Sequence, residues 1–265
     1  LGYSATIGSD CIDYIIGDKI LIPKEFRDKY SEKVIYLPGS FMINNSTKKI
    51  SNKIFTREEL GLPKDGFVFC CFNNHYKITP STFDIWMRLL KSIKGSILWL
   101  SKGNTVAQNN LREEANKRNI EANRIIFAER LPSLSDHLSR HKAADLFIDT
   151  LPYNAHSTCS DALWSGLPVL TYAGKSFAGR VSASMLNAIG LPELITCSEK
   201  EYEDKAIKLA TNPDLLKEVN NKLSKNRLKS PLFDTKLYAK NIESVFNKIH
   251  IRHLNKLKPE HIEIK

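Results

Sequence analysis

From Leu62 onward, short apolar runs alternate with amphipathic stretches at regular intervals. Apolar runs bounded by polar, Gly or Pro positions predict strands over Phe67–Phe72, Ser96–Leu100, Arg124–Ala128, Leu146–Asp149 and Pro168–Tyr172, with a short one near Leu194–Thr196. Between and after them the apolar spacing is helical: Pro80–Ile93, Val106–Asn119, Ser133–Ala144, His156–Gly166, Ser176–Ile189, Ser198–Thr211, Asn212–Lys225 and Thr235–His250. Pro80, with Ser81 and Thr82 beside it, suits a first helical turn. Upstream, CIDYII (Cys11–Ile16) and VIYL (Val34–Leu37) read as buried strands around a short helix at Lys24–Tyr30, and polar Asn44–Asn52 reads as a linker. Short apolar strands separated by helices predict βαβ units, so the fold class is α/β with a parallel sheet covered on both faces.

Such sheets bind ligands beyond the carboxyl ends of their strands, and every notable polar cluster here follows a strand. The fullest runs from Asp149 to Leu170, DTLPYNAHSTCSDALWSGLPVL. A Pro/Asn loop leads to His156, Ser157 and Thr158 at a helix start, with Asp161 expected in its first turn. A helix N-terminus offers free N–H groups and a positive dipole end to an anion. Ser157 and Thr158 add hydroxyl donors, His156 a cation, and Asp161 an acceptor suited to a sugar hydroxyl. Together they describe a cradle for a diphosphate sugar. The simpler alternative is a helix capped by Ser157.

Three further clusters follow strands. Asn73–Lys77 (NNHYK) ends in Lys77, a compact charge placed to pair with a phosphate, or a plain surface lysine. His137 and Arg140, spaced i and i+3, share a helix face and suit a planar base, unless Arg140 simply pairs with Asp136 on the surface. Gly174–Ser184 (GKSFAGRVSAS) combines glycines that admit close backbone approach, or close helix packing, with Arg180 as a counter-charge.

Composition narrows the field. At 42% hydrophobic and 26% charged, the 265 residues describe a soluble globular chain with no apolar run long enough to span a membrane. Five cysteines without a C-x-x-C pair fit a reducing, cytoplasmic compartment; Cys159, near a helix start, is the one thiol placed to be activated. Net charge is +10, and residues 216–265 hold twelve Lys/Arg against five Asp/Glu. Without aromatic–basic interleaving this reads as a solvated helix face and tail, not a nucleic-acid surface. Neither G-x-G-x-x-G nor a P-loop occurs, nor H-E-x-x-H or Asp-x-Asp, so no metal or nucleotide-cofactor site is expected.

The clusters, in this order, resemble the catalytic region of family 41 glycosyltransferases, the protein O-linked N-acetylglucosamine transferases. The resemblance rests on CFNNHYKITPSTFDIW (Cys71–Trp86), NRIIF (Asn123–Phe127), DTLPYNAHSTCSDALWSGLPVLT (Asp149–Thr171), GRVSASMLNAIGLPELI (Gly179–Ile195), EYEDKAIKLA (Glu201–Ala210) and SPLFDTKLYAKNIE (Ser230–Glu243). DYIIGDKILIP and YSEKVIYLPGSF resemble the end of that family's N-terminal lobe. The resemblance implies a GT-B arrangement of two Rossmann-like lobes. Residues 1–50 would end the N-terminal lobe, 51–233 form the donor-binding lobe, and 234–265 a closing helix and basic tail.

It also implies roles: Lys77, His156, Ser157 and Thr158 at the diphosphate, Asp161 at the ribose, His137 and Arg140 around the uracil. Asn74 would contact the donor where many members carry Gln, and His-Ser-Thr replaces the usual His-Thr-Thr. The implied donor is UDP-N-acetylglucosamine and the implied acceptors are Ser/Thr hydroxyls of proteins, with inverting, metal-independent transfer. Tetratricopeptide repeats are implied upstream, and no membrane or nucleic-acid partner. Two alternatives stand: a protein O-fucosyltransferase using a GDP-sugar, disfavoured by His156, and a non-catalytic sugar-nucleotide-binding module. Because Leu1 reads as mid-domain sequence, much of the N-terminal lobe is expected to precede it. These residues alone are expected to show little or no transferase activity; robust transfer to a peptide by this chain would contradict that.

Overall fold

The computed structural model describes residues 3–264. β1 (Tyr14–Gly17) and β2 (Lys33–Tyr36) flank a 3-10 turn at Lys24–Lys29 and pair in parallel, Tyr14 opposite Lys33. Then come β3 (Val68–Cys71), α1 (Pro80–Ser92), β4 (Ile97–Ser101), α2 (Thr105–Lys117), β5 (Ile125–Ala128), α3 (Leu134–Arg140) and β6 (Leu146–Ile148). α4 (Ser157–Ser165), β7 (Val169–Tyr172), α5 (Val181–Ala188), β8 (Ile195–Thr196), α6 (Glu199–Thr211), α7 (Pro213–Asn226), α8 (Thr235–Leu254) and β9 (Ile262–Glu263) complete the order.

The larger sheet runs β5-β4-β3-β6-β7-β8, with every neighbouring pair parallel. The chain winds outward through β3, β4 and β5, then returns to the middle and winds the other way from β6. The order therefore reverses between β3 and β6, and the crevice beyond their carboxyl ends is where such a sheet takes a ligand. Helices on both faces explain why the central strands lack polar alternation: Val68, Phe69, Leu98, Trp99, Leu100 and Phe147 are all buried. The α/β class and parallel sheet are as the pattern predicts.

Several boundaries differ, each for a local reason. The first strand begins at Tyr14, since Cys11 and Ile12 are exposed. The Ser133–Ala144 helix is α3 followed by a 3-10 turn at His141–Ala143. The Ser176–Ile189 helix begins only at Val181, because Gly174 N–H donates to Gly179 O (2.7 Å) and closes a loop. A Cβ on Gly179 would lie 2.8 Å from Pro152 O, so this glycine permits two loops to pack rather than a ligand to approach. Arg180 is likewise structural, donating to Ile20 O (2.7 Å) and Gly174 O (2.9 Å).

The largest departure is at the C-terminal end. Its last described residues are not a solvated tail: β9 pairs in parallel with β2, Ile35 opposite Ile262, and Val34 N–H donates to His261 Nδ1 (2.9 Å). Two isoleucines set among charges are too few to register as a strand pattern. They become one because α8 lays Tyr238, Ile242, Val245 and Ile249 against Ile35, Leu37, Ile262 and Ile264 as a separate small core. Replacing Ile262 with Asp should cost about 1.5–3 kcal/mol, the worth of a buried aliphatic side chain. Hydrogen exchange should then quicken at least about tenfold in β1 and β2 but not in β3 or β4; equal loss in both sheets would contradict this.

Candidate functional site

Asp149, at the end of β6, builds the site although it does not line it. Its carboxylate is 3% exposed. Oδ1 accepts from Thr150 N–H (2.8 Å), Ala155 N–H (2.7 Å) and Asn73 Nδ2 (3.3 Å), and Oδ2 from the Thr171 hydroxyl (2.7 Å). Burial pushes its pKa above the ordinary carboxylate value, and the bonds from Thr171, Ala155 and Thr150 oppose the rise. The bonds curl the Thr150–Ala155 loop around one anion and so fix where α4 begins. Asn73, buried at the end of β3, also donates to Thr150 Oγ1 (2.8 Å) and accepts from the Thr158 hydroxyl, tying the β3 loop to α4. Both residues were missed as site builders in the sequence; the signal available was an acid ending an apolar strand before a Pro/Asn loop.

Among the described residues, six α-helices are capped by a side chain that accepts from the first turn: Thr79, Asn104, Ser133, Ser198, Asn212 and Asp234. α4 is not. Ser157 is its first helical residue, is exposed, and caps nothing, which removes the simpler alternative. The N-cap position is His156, whose Nε2 lies 3.5 Å from Ala178 O instead of turning to the helix. The first backbone bond from α4 is Ser160 N–H to His156 O (3.1 Å), so the N–H groups of Ser157, Thr158 and Cys159 have no partner among the described residues. The helix start borders a cavity of about 460 Å³ lined by His156, Ser157, Phe41, Met42, Tyr14 and Phe177, between α4 and the small sheet. Unpartnered N–H groups at a dipole's positive end favour an anion.

Lys77 ends a 3-10 turn (His75–Lys77) after β3. Its Nζ donates to Asn154 O (2.8 Å) and stands 4.0 Å from the Tyr153 ring centroid. Burial lowers its pKa, which Asp149 partly restores. The Tyr153 ring also stacks on His156 at 4.9 Å and 29°, so one tyrosine, which sequence reading left unassigned, sets both groups. His156 is not the expected cation: burial, then Lys77, pushes its pKa down to about 4 and leaves a neutral ring at pH 7. Thr158 is corrected too, since its proton goes to Asn73. Asn74 is exposed and makes no cap bond.

His137 and Arg140 line a second cavity, of about 390 Å³, with Ser101, Lys102, Ala128 and Leu131 beyond β4 and β5. Arg140 does not pair with Asp136. It is buried, donates to Glu129 O, and lies 4.5 Å from the Phe72 ring centroid. Burial, then Arg140, pushes His137 down to about 4, while Asp161 opposes the shift and Lys48 adds to it. Asp161 itself is not at the helix start. It lies in the second turn of α4, not the first, and receives Lys48 Nζ at 2.6 Å.

Cys159 is buried and its pKa pushed up by that burial, so it is no activated thiol. Among the described residues no three His, Cys, Asp or Glu side chains are placed to hold a metal ion, and no helix is long and apolar enough to cross a membrane.

The model of Glycosyl transferase family 41 matches residues 1–54 and 46–242. The whole chain is 34% identical, over 270 residues, to a probable UDP-N-acetylglucosamine–peptide N-acetylglucosaminyltransferase, SEC, from Arabidopsis thaliana, of which it covers 28%. A UDP-N-acetylglucosamine–peptide N-acetylglucosaminyltransferase of Caenorhabditis elegans is 35% identical over 81% of this chain and 19% of its own length. The chain thus spans less than a third of either relative. A mutant O-GlcNAc transferase from Thermobaculum terrenum superposes with a TM-score of 0.82 at 25% identity, covering 94% of this chain and 47% of that one. A sucrose-phosphate synthase from Thermosynechococcus elongatus gives a TM-score of 0.63 at 13% identity over 90% of this chain and 58% of its own, a likeness of fold alone.

In a proton NMR titration, the His137 and His156 rings should stay neutral until about pH 4. An unfolded histidine binds its proton near pH 6.5, so the stability these rings contribute is present above that pH and lost on acidification from about 6.5 to about 4. Midpoints near 6.5 in the folded chain would contradict the burial argument.

Proposed function

The chain belongs to glycosyl transferase family 41, and from that premise we propose that it carries the donor-binding portion of an enzyme that transfers N-acetylglucosamine from UDP-N-acetylglucosamine to Ser/Thr hydroxyls of proteins. The observation that carries this reading is the uncapped start of α4, with three unpartnered N–H groups, beside a tethered ammonium at Lys77. In an inverting transfer the acceptor hydroxyl attacks the anomeric carbon from one face as the diphosphate leaves from the other. Negative charge grows on the departing oxygen, so fixed donors aimed there stabilise the transition state more than the ground state.

Lys77 is the group best suited to that oxygen. Asn154 O and the Tyr153 ring hold it before substrate arrives, so little ordering entropy remains to be lost on binding. The neutral His156 ring donates a hydrogen bond without adding a second positive charge beside it. His137 and Arg140 would receive the uracil and Asp161 the ribose, with Asn74 at the edge of the donor. One ammonium and a helix terminus meet a diphosphate without a divalent ion, and metal independence is part of the proposal.

The small sheet with α8 and β9 would be the end of the N-terminal catalytic lobe and its closing helix. Protein or peptide acceptors, upstream tetratricopeptide repeats and a cytoplasmic location complete the reading, which draws on the family and on the relatives' described substrates.

Calorimetry in the presence of a chelator tests it. UDP should bind, and Lys77→Ala should weaken it about 10- to 100-fold, as befits a hydrogen bond to a charged group worth ~1.5–3 kcal/mol. The melting temperature should change little. Tighter binding of GDP than UDP would point to the GDP-sugar alternative. In the full-length parent, undiminished glycosylation by Lys77→Ala would leave only a binding module.

A further inference from the structure

Lys48 lies in the polar stretch between the two sheets, where neither strand nor helix forms. It is nonetheless fixed. Its carbonyl accepts from Trp164 Nε1 (3.0 Å), and the neighbouring Ser51 N–H donates to Ser135 O (3.1 Å) on α3. Its Nζ reaches Asp161 Oδ1 at 2.6 Å, with the two side chains only 22% and 15% exposed. His137 stands within electrostatic reach of both. A linker lysine is thus pinned to α4, the helix whose start carries the open N–H groups, at Asp161 in its second turn.

An ion pair that merely tied the linker to α4 could lie anywhere along the helix. This one falls on the acceptor assigned to the ribose, and it leaves capacity unused. Asp161 Oδ2 accepts no hydrogen bond among the described residues, and an ammonium with one donor spent keeps two. A carboxylate accepts only and an ammonium donates only, whereas each hydroxyl of a vicinal diol does both. The two groups are adjacent, Nζ lying 2.6 Å from Oδ1, as the two hydroxyls of a ribose cis-diol are adjacent, so one hydroxyl can donate to Asp161 Oδ2 while its neighbour accepts from Lys48.

Resting on the donor-site reading above, we propose that Lys48 is a specificity residue of that site: with Asp161 it forms a donor–acceptor pair that reads both ribose hydroxyls and selects ribonucleotides over deoxyribonucleotides. A site built to bond a hydroxyl rejects the analogue that lacks it, because its buried polar group is left unpaired.

The test compares UDP with 2′-deoxy-UDP and 3′-deoxy-UDP by calorimetry, on the wild-type chain, Lys48→Met and Lys48→Arg. The wild type should prefer UDP to at least one deoxy analogue by about tenfold or more. Lys48→Met, which keeps the stem, should lose about tenfold for UDP and little for that analogue, so that the preference collapses; Lys48→Arg should recover part of it. Lys48→Gln, read the same way, serves if Lys48→Met does not fold. UDP binding with ribose preference unchanged in Lys48→Met or Lys48→Gln would overturn this inference alone. A wild-type chain that binds no UDP would overturn the donor-site reading and this inference with it.

Discussion

The structure depends on one buried carboxylate. Asp149 gathers the amides of Thr150 and Ala155, the Asn73 amide and the Thr171 hydroxyl around itself, and the loop between β6 and α4 takes its shape from those bonds. A carboxylate this deep is costly unless it is saturated with donors. The same bonds that satisfy it leave α4 to begin without a cap. What is unsatisfied in this region is thus displaced from Asp149 to the N–H groups of Ser157, Thr158 and Cys159, at a helix start that borders a cavity. Six other helices show how easily a side chain closes such an end. Leaving this one open costs stability unless an anion visits.

Around that open end, burial sets the charge states. Lys77 carries the charge, held against a carbonyl and an aromatic face, while His156 and His137 are kept neutral. Had His156 been cationic, two charges would repel across Tyr153, and the site would be strained whenever empty. A neutral ring beside a single ammonium avoids that and still offers a donor. The base-side cavity repeats the arrangement, with Arg140 charged under Phe72 and His137 neutral beside it.

The layout of the larger sheet was legible because short, largely apolar strands between helices admit few other readings. The place of the site followed from it, since Lys77, His137 and His156 each come after a strand. What was not legible lay in contacts between distant segments. Nothing local marks Asn73 as the link to Thr158, Tyr153 as the wedge between Lys77 and His156, or Lys48 as the partner of Asp161, 113 positions away. β9 was hidden because its two isoleucines acquire a partner only when α8 brings them back to β2. Charge state was hidden as well: His156 reads as a cation until its burial is known.

The central claim is that a diphosphate is held by backbone N–H groups at an uncapped helix start, with a lysine assisting and no divalent ion. Amide NMR spectra of the labelled chain, titrated with UDP in the presence of a chelator, test it most directly. The account predicts that the Ser157, Thr158 and Cys159 amides move farthest downfield, and that they move also with inorganic diphosphate. UDP binding that shifts other amides while leaving these three in place would contradict it.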